Sequence, residues 1–287
     1  LAALLDEQGL ATREHAYWPL WTYDAVAQRR LDAAEQDAAL AIEDSFYAAL
    51  PSSKDELGEG ASLQDAIDAH LAALELDADA ERHARMVLEQ FFVEVDYAGP
   101  AAETSLAVFD EDEFFGYDDH LPAGGFGQLI ARLAADLDIR TSTVVREVGQ
   151  DDAKAWVVSE QGERFEGDRV IVTVPLGVLQ AGTIAFAPAL SQAKQDALAR
   201  MQMSSLEKLV LRFEQRFWPD EPDAAWFYLS SERGEFPVIL DLTADAGAPT
   251  LVLLHGGARV REHLDAVDDA TLVGEALALL AALLDVE

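Results

Sequence analysis

Apolar positions along this chain follow a helical rhythm first and an alternating one later. Over residues 26 to 50 the apolar set, with Val26, Leu31, Leu40 and Phe46 among it, recurs at helical spacing. Pro51 and the Ser/Gly-containing stretch to Ala61 break that pattern. Ser62 opens S-L-Q-D, a capping-box-like start, and predicts a helix to about Leu76. A third helix is expected over residues 79 to 95, ending before Tyr97-Ala98-Gly99-Pro100. Further helices are expected at Gln128 to Asp136, Leu190 to Met201 and Ala270 to Leu284.

Strand texture begins at Arg140 to Val148. Ala155 to Ser159 and Glu163 to Glu166 follow as a hairpin turning at Gln161-Gly162. Val170 to Val174 is a continuous β-branched run stopped by Pro175-Leu176-Gly177, the pattern of a buried strand ending in a turn. Four more candidates are Leu206 to Phe213, Ala225 to Leu229, Phe236 to Leu242 and Thr250 to His255. A run of helices followed by strands points to an α+β region rather than a helical bundle.

Composition narrows the function. The chain has 287 residues, half of them hydrophobic, enough for one large or two ordinary domains. No apolar run approaches a membrane span, and the start of the chain has no signal-peptide pattern, which leaves cytoplasmic as the default expectation. Zero cysteines exclude disulfides and thiolate metal sites, and six histidines show no metal-ligand spacing, so no metal is expected. Twenty basic against 54 acidic residues give a net charge of −34, which disfavours nucleic acid as a partner. Two readings of that charge compete: a solvated acidic surface, or attraction of a cationic substrate into a cleft.

Lys208 is the sharpest candidate for chemistry, a lone cation inside an apolar run. On a strand, Lys208, Val210 and Arg212 share one face and Leu209, Leu211 and Phe213 the other. A plain solvent-facing lysine is the competing reading. The acidic run Asp110 to Glu113 is a candidate substrate mouth, with Asp110 and Asp112 its foremost residues, against the alternative of a solvated face. Trp226 and Tyr228 are candidates for a substrate wall, against simple strand packing.

The order of strand, Pro-Leu-Gly turn, Phe-x-Pro segment, helix, Lys208-bearing strand and Phe217-Trp218 resembles the flavin-dependent amine oxidases. That family includes polyamine oxidases, monoamine oxidases and lysine-specific histone demethylases. The resemblance covers nearly the whole chain and thins over the first hundred residues. It implies an α/β fold with an FAD-binding domain interleaved with an α+β, mixed-sheet substrate domain flanked by helices. Residues 1–18 and 117–204 would belong to the FAD domain; residues 19–116, largely helical, and 205–287, the sheet part, would form the substrate domain. The resemblance further implies FAD as cofactor, a small cationic amine, polyamines included, as substrate, and molecular oxygen as oxidant with hydrogen peroxide as product. Lys208 matches the lysine that holds a water against the flavin N5, a role suited to a desolvated lysine. Thr173, Val174 and Pro175 match the strand end beside the flavin, and Val145 matches a position whose backbone contacts the adenine end.

The family's G-x-G-x-x-G fingerprint is absent from these 287 residues, and Gly124-Gly125-Phe126-Gly127 has the wrong spacing. The chain is therefore expected to be an internal part of a longer enzyme, inactive in isolation and holding FAD weakly. Two alternatives stand beside the amine oxidase. One is another flavoprotein of the superfamily, an amino-acid oxidase or desaturase, the former wanting an arginine such as Arg212 or Arg216. The other is a non-catalytic binding remnant.

Overall fold

The computed structural model describes residues 1–14, 19–109, 120–220, 225–230, 235–257, 260, 262–263 and 266–284. The chain divides into two compact units, Leu1–Ile130 with Ser204–Glu287, and Ala131–Met203.

The first unit opens with α1 (Ala2–Glu7), β1 (Thr12–Glu14), β2 (Pro19–Asp24) and β3 (Arg29–Arg30). Helices α2 (Ala33–Leu57), α3 (Leu63–Ala73) and α4 (Ala78–Met86) follow, and α4 runs directly into a π-helix, Val87–Val95. After β4 (His120–Pro122), α5 (Gly127–Ala134) leads into the second unit. That unit contains β5 (Val145–Gln150), β6 (Ala155–Ser159), β7 (Arg164–Gly167), α6 (Leu176–Gln180), β8 (Ala185–Ala187) and α7 (Gln192–Arg200). The chain then returns to the first unit with β9 (Leu206–Arg212), β10 (Ala225–Leu229), β11 (Val238–Asp241), β12 (Thr250–Gly256) and a last helix, Asp269–Leu284.

Six of these strands form one mixed sheet in the order β3-β2-β10-β11-β12-β9, in which β2 and β10 run parallel and the other pairs antiparallel. Both faces are covered, and alternation along each strand divides its side chains between two cores. Phe227, Val252 and Leu254 face the core shared with α2, α3, α4 and the π-helix. Trp226, Leu251 and Leu253 face the opposite core, which the last helix closes with Ala276, Leu279 and Leu283.

The first expected helix lies seven residues later than its periodicity suggests. Residues 25–28 form a turn whose amides at Val26 and Ala27 donate to Asp24 Oδ1 at 2.9 and 3.0 Å. The helix begins only where Asp32 and Glu35 complete a capping box. It runs through Pro51 instead of stopping there, because Phe46 and Leu50 are buried on its inner face and that packing offsets a proline cost of about 3 kcal/mol. The capping box at Ser62 forms as expected. Strand β2 has no counterpart in the reading of the sequence; it is a short segment ending in the turn that displaces α2.

The expected third helix changes pitch at Val87, and all nine residues of its π-helical part are buried, including Glu89, Gln90 and Glu94. Glu89 is held by Gln64 Nε2 at 2.6 Å and Arg85 Nη1 at 3.0 Å. This helix reaches the sheet through Gly256, where a Cβ would stand 1.9 Å from the Glu94 carbonyl oxygen. Only glycine permits that approach.

In the second unit the sheet order is β7-β6-β5-β8. The hairpin forms where expected, with Gly162 at φ +83° in its turn. The strand expected over Arg140 to Val148 begins at Val145 and extends to Gln150. Val170–Val174 is not a buried strand: it joins no sheet among the described residues, and Ile171 is 88 % exposed. Its β-branched composition favours extended backbone, but a strand also requires a neighbouring ladder, and none of the described residues supplies one. Pro175 caps α6 instead of ending a strand-turn.

Asp24 ties β2 to the helical layer. Besides the turn amides it accepts from Arg82 Nη1 at 3.0 Å and Nη2 at 2.8 Å, and it lies 2.8 Å from His83 Nε2. Burial raises its pKa, but the hydrogen bonds from Arg82, His83 and the Ala27 amide outweigh this and hold the carboxyl well below the ordinary range. Its contribution to stability is present above about pH 4 and is lost as pH falls toward the folded-state value. Asp24→Ala, which takes the acceptor from the Arg82 guanidinium, the His83 ring and the two turn amides, is expected to lower unfolding stability by about 3 kcal/mol at pH 7, and by progressively less as pH falls below about 4 toward the folded-state value. An unchanged urea midpoint at pH 7 would contradict this anchoring role.

Candidate active site

Lys208 lies on the edge strand β9, directly opposite Leu254 of β12, and Val210 lies opposite Val252. Both partners belong to the core beneath the π-helix, so Lys208 projects on that face, as alternation from the sequence requires. The side chain opens into a cavity of ≈ 520 Å³ whose apolar wall includes Leu206, Val210, Leu240, Val252 and Leu254. Lys208 is exposed, not desolvated as the resemblance leads one to expect.

Two polar side chains that the reading of the sequence did not select line the same cavity. Asp96 is the residue on which the π-helix ends, and His120 begins β4. The sequence offered little sign of either: Asp96 is one acid among 54, and His120 reads as structural beside a Pro-Gly turn. Their placement comes from the π-helix and from the two-stranded β1–β4 ribbon, in which Glu14 pairs with His120. Thr12 Oγ1 lies 3.3 Å from His120 Nδ1.

Acidity extends behind the cavity wall. Glu43 on α2 is partly buried, and its pKa is pushed up to about 7 by burial, then by Asp44 and Asp96. Below about pH 7 Glu43 therefore stays largely protonated, and the negative field at that end of the cavity comes from Asp44 and Asp96.

The other expected site residues separate. Trp226 is completely buried on the opposite face of the sheet, stacked on Trp21 at 5.3 Å, and Tyr228 stacks on Tyr23 at 5.9 Å beside it. These two aromatics build the core under the last helix, and the structure does not bring them to Lys208. Asp110 and Asp112 lie outside the described residues. Val145, Thr173, Val174 and Pro175 belong to the second unit: Val145 is half-buried at the start of β5, Thr173 is exposed, Val174 half-buried, and Pro175 caps α6. Arg216 bonds Asp241 at 2.6 Å, a structural pairing that leaves it ill suited to a substrate carboxylate.

Each unit taken by itself offers features that a flavin can use: residues 171–173 of the second unit are exposed and join no sheet among the described residues, and in the first unit Lys208 offers an ammonium against an apolar wall.

Comparison with known proteins agrees with that fit. The family described as "Flavin containing amine oxidoreductase" matches residues 25–287. Lysine-specific histone demethylase 1 homolog 1 of Oryza sativa subsp. japonica is 33% identical over 184 residues, covering 62% of this chain and 22% of the relative. Probable polyamine oxidase 4 of Arabidopsis thaliana is 33% identical over 180 residues, covering 62% of this chain and 36% of the relative. A putrescine oxidase structure with putrescine bound superposes with a TM-score of 0.76 at 20% identity, over 99% of this chain and 67% of that one. The chain belongs to the flavin-containing amine oxidoreductases, and its fold is theirs. It spans about a fifth to a third of the length of these two curated relatives.

The raised Glu43 carboxyl has a consequence for stability. The folded state keeps its proton at a pH where the unfolded chain, titrating near 4.3, has released it, so stability declines as pH rises from about 4 to about 7. After allowance for its partial exposure, Glu43→Gln is expected to stabilise by about 1–2 kcal/mol at pH 8 and by almost nothing at pH 4. An equal shift of the urea midpoint at both pH values would contradict it.

Proposed function

We propose that this chain carries the amine-binding side of an FAD-dependent amine oxidase. The observation that bears most of the weight is Lys208 in an apolar-walled cavity with Asp96, within a member of the flavin-containing amine oxidoreductase family. A bound FAD would supply the hydride acceptor for the carbon beside the amine nitrogen, with molecular oxygen as the final oxidant and hydrogen peroxide as its product. Residues 1–18 and 117–204, with Val145, Thr173, Val174 and Pro175, are the segments proposed to hold it. Residues 19–116 and 205–287 are proposed to hold the amine.

Asp96 and Lys208 have distinct parts in the cavity. Asp96 attracts a cationic amine, and a carboxylate favours the ammonium form of whatever nitrogen it touches. Only the neutral amine releases hydride, so Asp96 suits a remote ammonium of a diamine or polyamine. Near Lys208 a second positive charge is disfavoured, which promotes the neutral form of the reacting nitrogen. Lys208 itself positions a water and places positive charge where reduced oxygen species form. The substrate class proposed is a small primary or secondary amine, with a polyamine favoured by the acids around Asp96. The demethylase relatives support a second reading, in which the secondary amine is a methylated lysine on a peptide.

The lysine's role is tested in the intact flavin-loaded protein by stopped-flow oxidation with oxygen. Lys208→Met is expected to slow reoxidation roughly 100-fold while leaving anaerobic reduction by putrescine within a few-fold. Full reoxidation rates in the variant would remove Lys208 from the mechanism.

A further inference from the structure

The reaction assigned above makes no use of His120, although this residue lines the same cavity as Lys208 and Asp96. Resting on the amine-oxidase reading, we propose that His120 is a specificity-determining residue of the amine site, accepting a hydrogen bond from the substrate ammonium only while its imidazole is neutral.

Its position is fixed by backbone pairing. The ladder Thr12↔Pro122, Arg13↔Leu121, Glu14↔His120 sets the β1–β4 register, and alternation puts Thr12, Glu14 and His120 on one face of the ribbon. Thr12 Oγ1 stands 3.3 Å from Nδ1. In the tautomer where Nδ1–H donates to that hydroxyl, Nε2 keeps its lone pair and becomes an acceptor. Thr12 is thus the positioning residue that selects the useful tautomer.

The charges around the imidazole decide its effect on a guest. Lys208 on β9 is a fixed cation across the cavity, Asp96 at the end of the π-helix is an anion, and Glu14 lies opposite on β1. The neighbouring Arg13 is turned to Asp245, its Nε donating at 3.0 Å. With Asp96 engaged by one ammonium, protonating His120 would place a second cation beside Lys208, and the lone pair that receives the substrate would be lost. Amine binding and imidazole protonation therefore oppose each other, and linkage requires each to weaken the other by the same factor.

The test uses the full 287-residue chain and putrescine. The His120 ring-proton NMR resonance is identified by its loss in His120→Gln and titrated with and without saturating putrescine. The expected result is a midpoint lowered by about one pH unit, matched by a roughly tenfold fall in calorimetric putrescine affinity between pH 8 and pH 5. His120→Gln, which keeps an acceptor and does not titrate, is expected to flatten that fall while holding affinity at pH 8 within about fivefold. Thr12→Val is expected to weaken binding at pH 8, since it frees the other tautomer. A midpoint unmoved by putrescine, or an acid fall that persists in His120→Gln, overturns the proposal. If the intact protein's flavin is reduced by putrescine while the midpoint is unmoved, the oxidase reading stands and the His120 assignment falls. If the midpoint drops but no amine reduces the flavin, the amine site stands and the oxidase reading falls.

Discussion

The contact between the π-helix and strand β12 orders the cavity that Lys208 lines. Gly256 lets the Glu94 carbonyl approach to a distance that any side chain would forbid, and the helix consequently lies hard against the sheet. All nine of its residues are buried as a result. Its end delivers Asp96 to the cavity that Lys208 enters from the sheet edge. A change in that seat would move the carboxylate relative to the lysine without touching either residue.

The sheet then sorts chemistry from structure by parity. Lys208, Val210, Val252 and Leu254 share the face beneath the π-helix, whereas Leu209, Leu211, Leu253 and Trp226 share the face beneath the last helix. A one-residue register slip in β9 would exchange those sets and bury Lys208 among tryptophans. The long ladder from Arg212↔Thr250 to Leu206↔Gly256 holds the register that keeps the lysine in the cavity. Toward the other edge of the sheet, Asp24 binds the end of β2 to α4 through Arg82 and His83 and keeps the helical layer in place.

Much of this was legible from residues alone. The strand carrying Lys208, its two faces, the hairpin at Gly162 and the capping box at Ser62 follow from local periodicity and turn chemistry. The order of motifs around Pro175 and Lys208 was enough to place the family. What escaped was non-local. The turn at Asp24 that delays α2 depends on partners 58 and 59 residues away. The π-helix depends on a glycine far along the chain, and Asp96 and His120 meet only because of it and the β1–β4 ribbon. Trp226 and Tyr228 looked like a substrate wall because aromatic side chains serve cores and binding sites alike; only the sheet's parity assigns them to the core. Val170–Val174 has the composition of a strand, but composition alone does not supply its neighbour.

In the function proposed above, the cavity shared by Lys208 and Asp96 receives an amine that the flavin oxidises. The most direct measurement is anaerobic mixing of the intact flavin-loaded protein with spermidine, putrescine, a monoamine and a methyl-lysine peptide, following the visible flavin band. Bleaching by at least one of the four is expected, with a polyamine or diamine fastest and Asp96→Asn weakening that preference. A flavin that stays bound and fully coloured with all of them would contradict it.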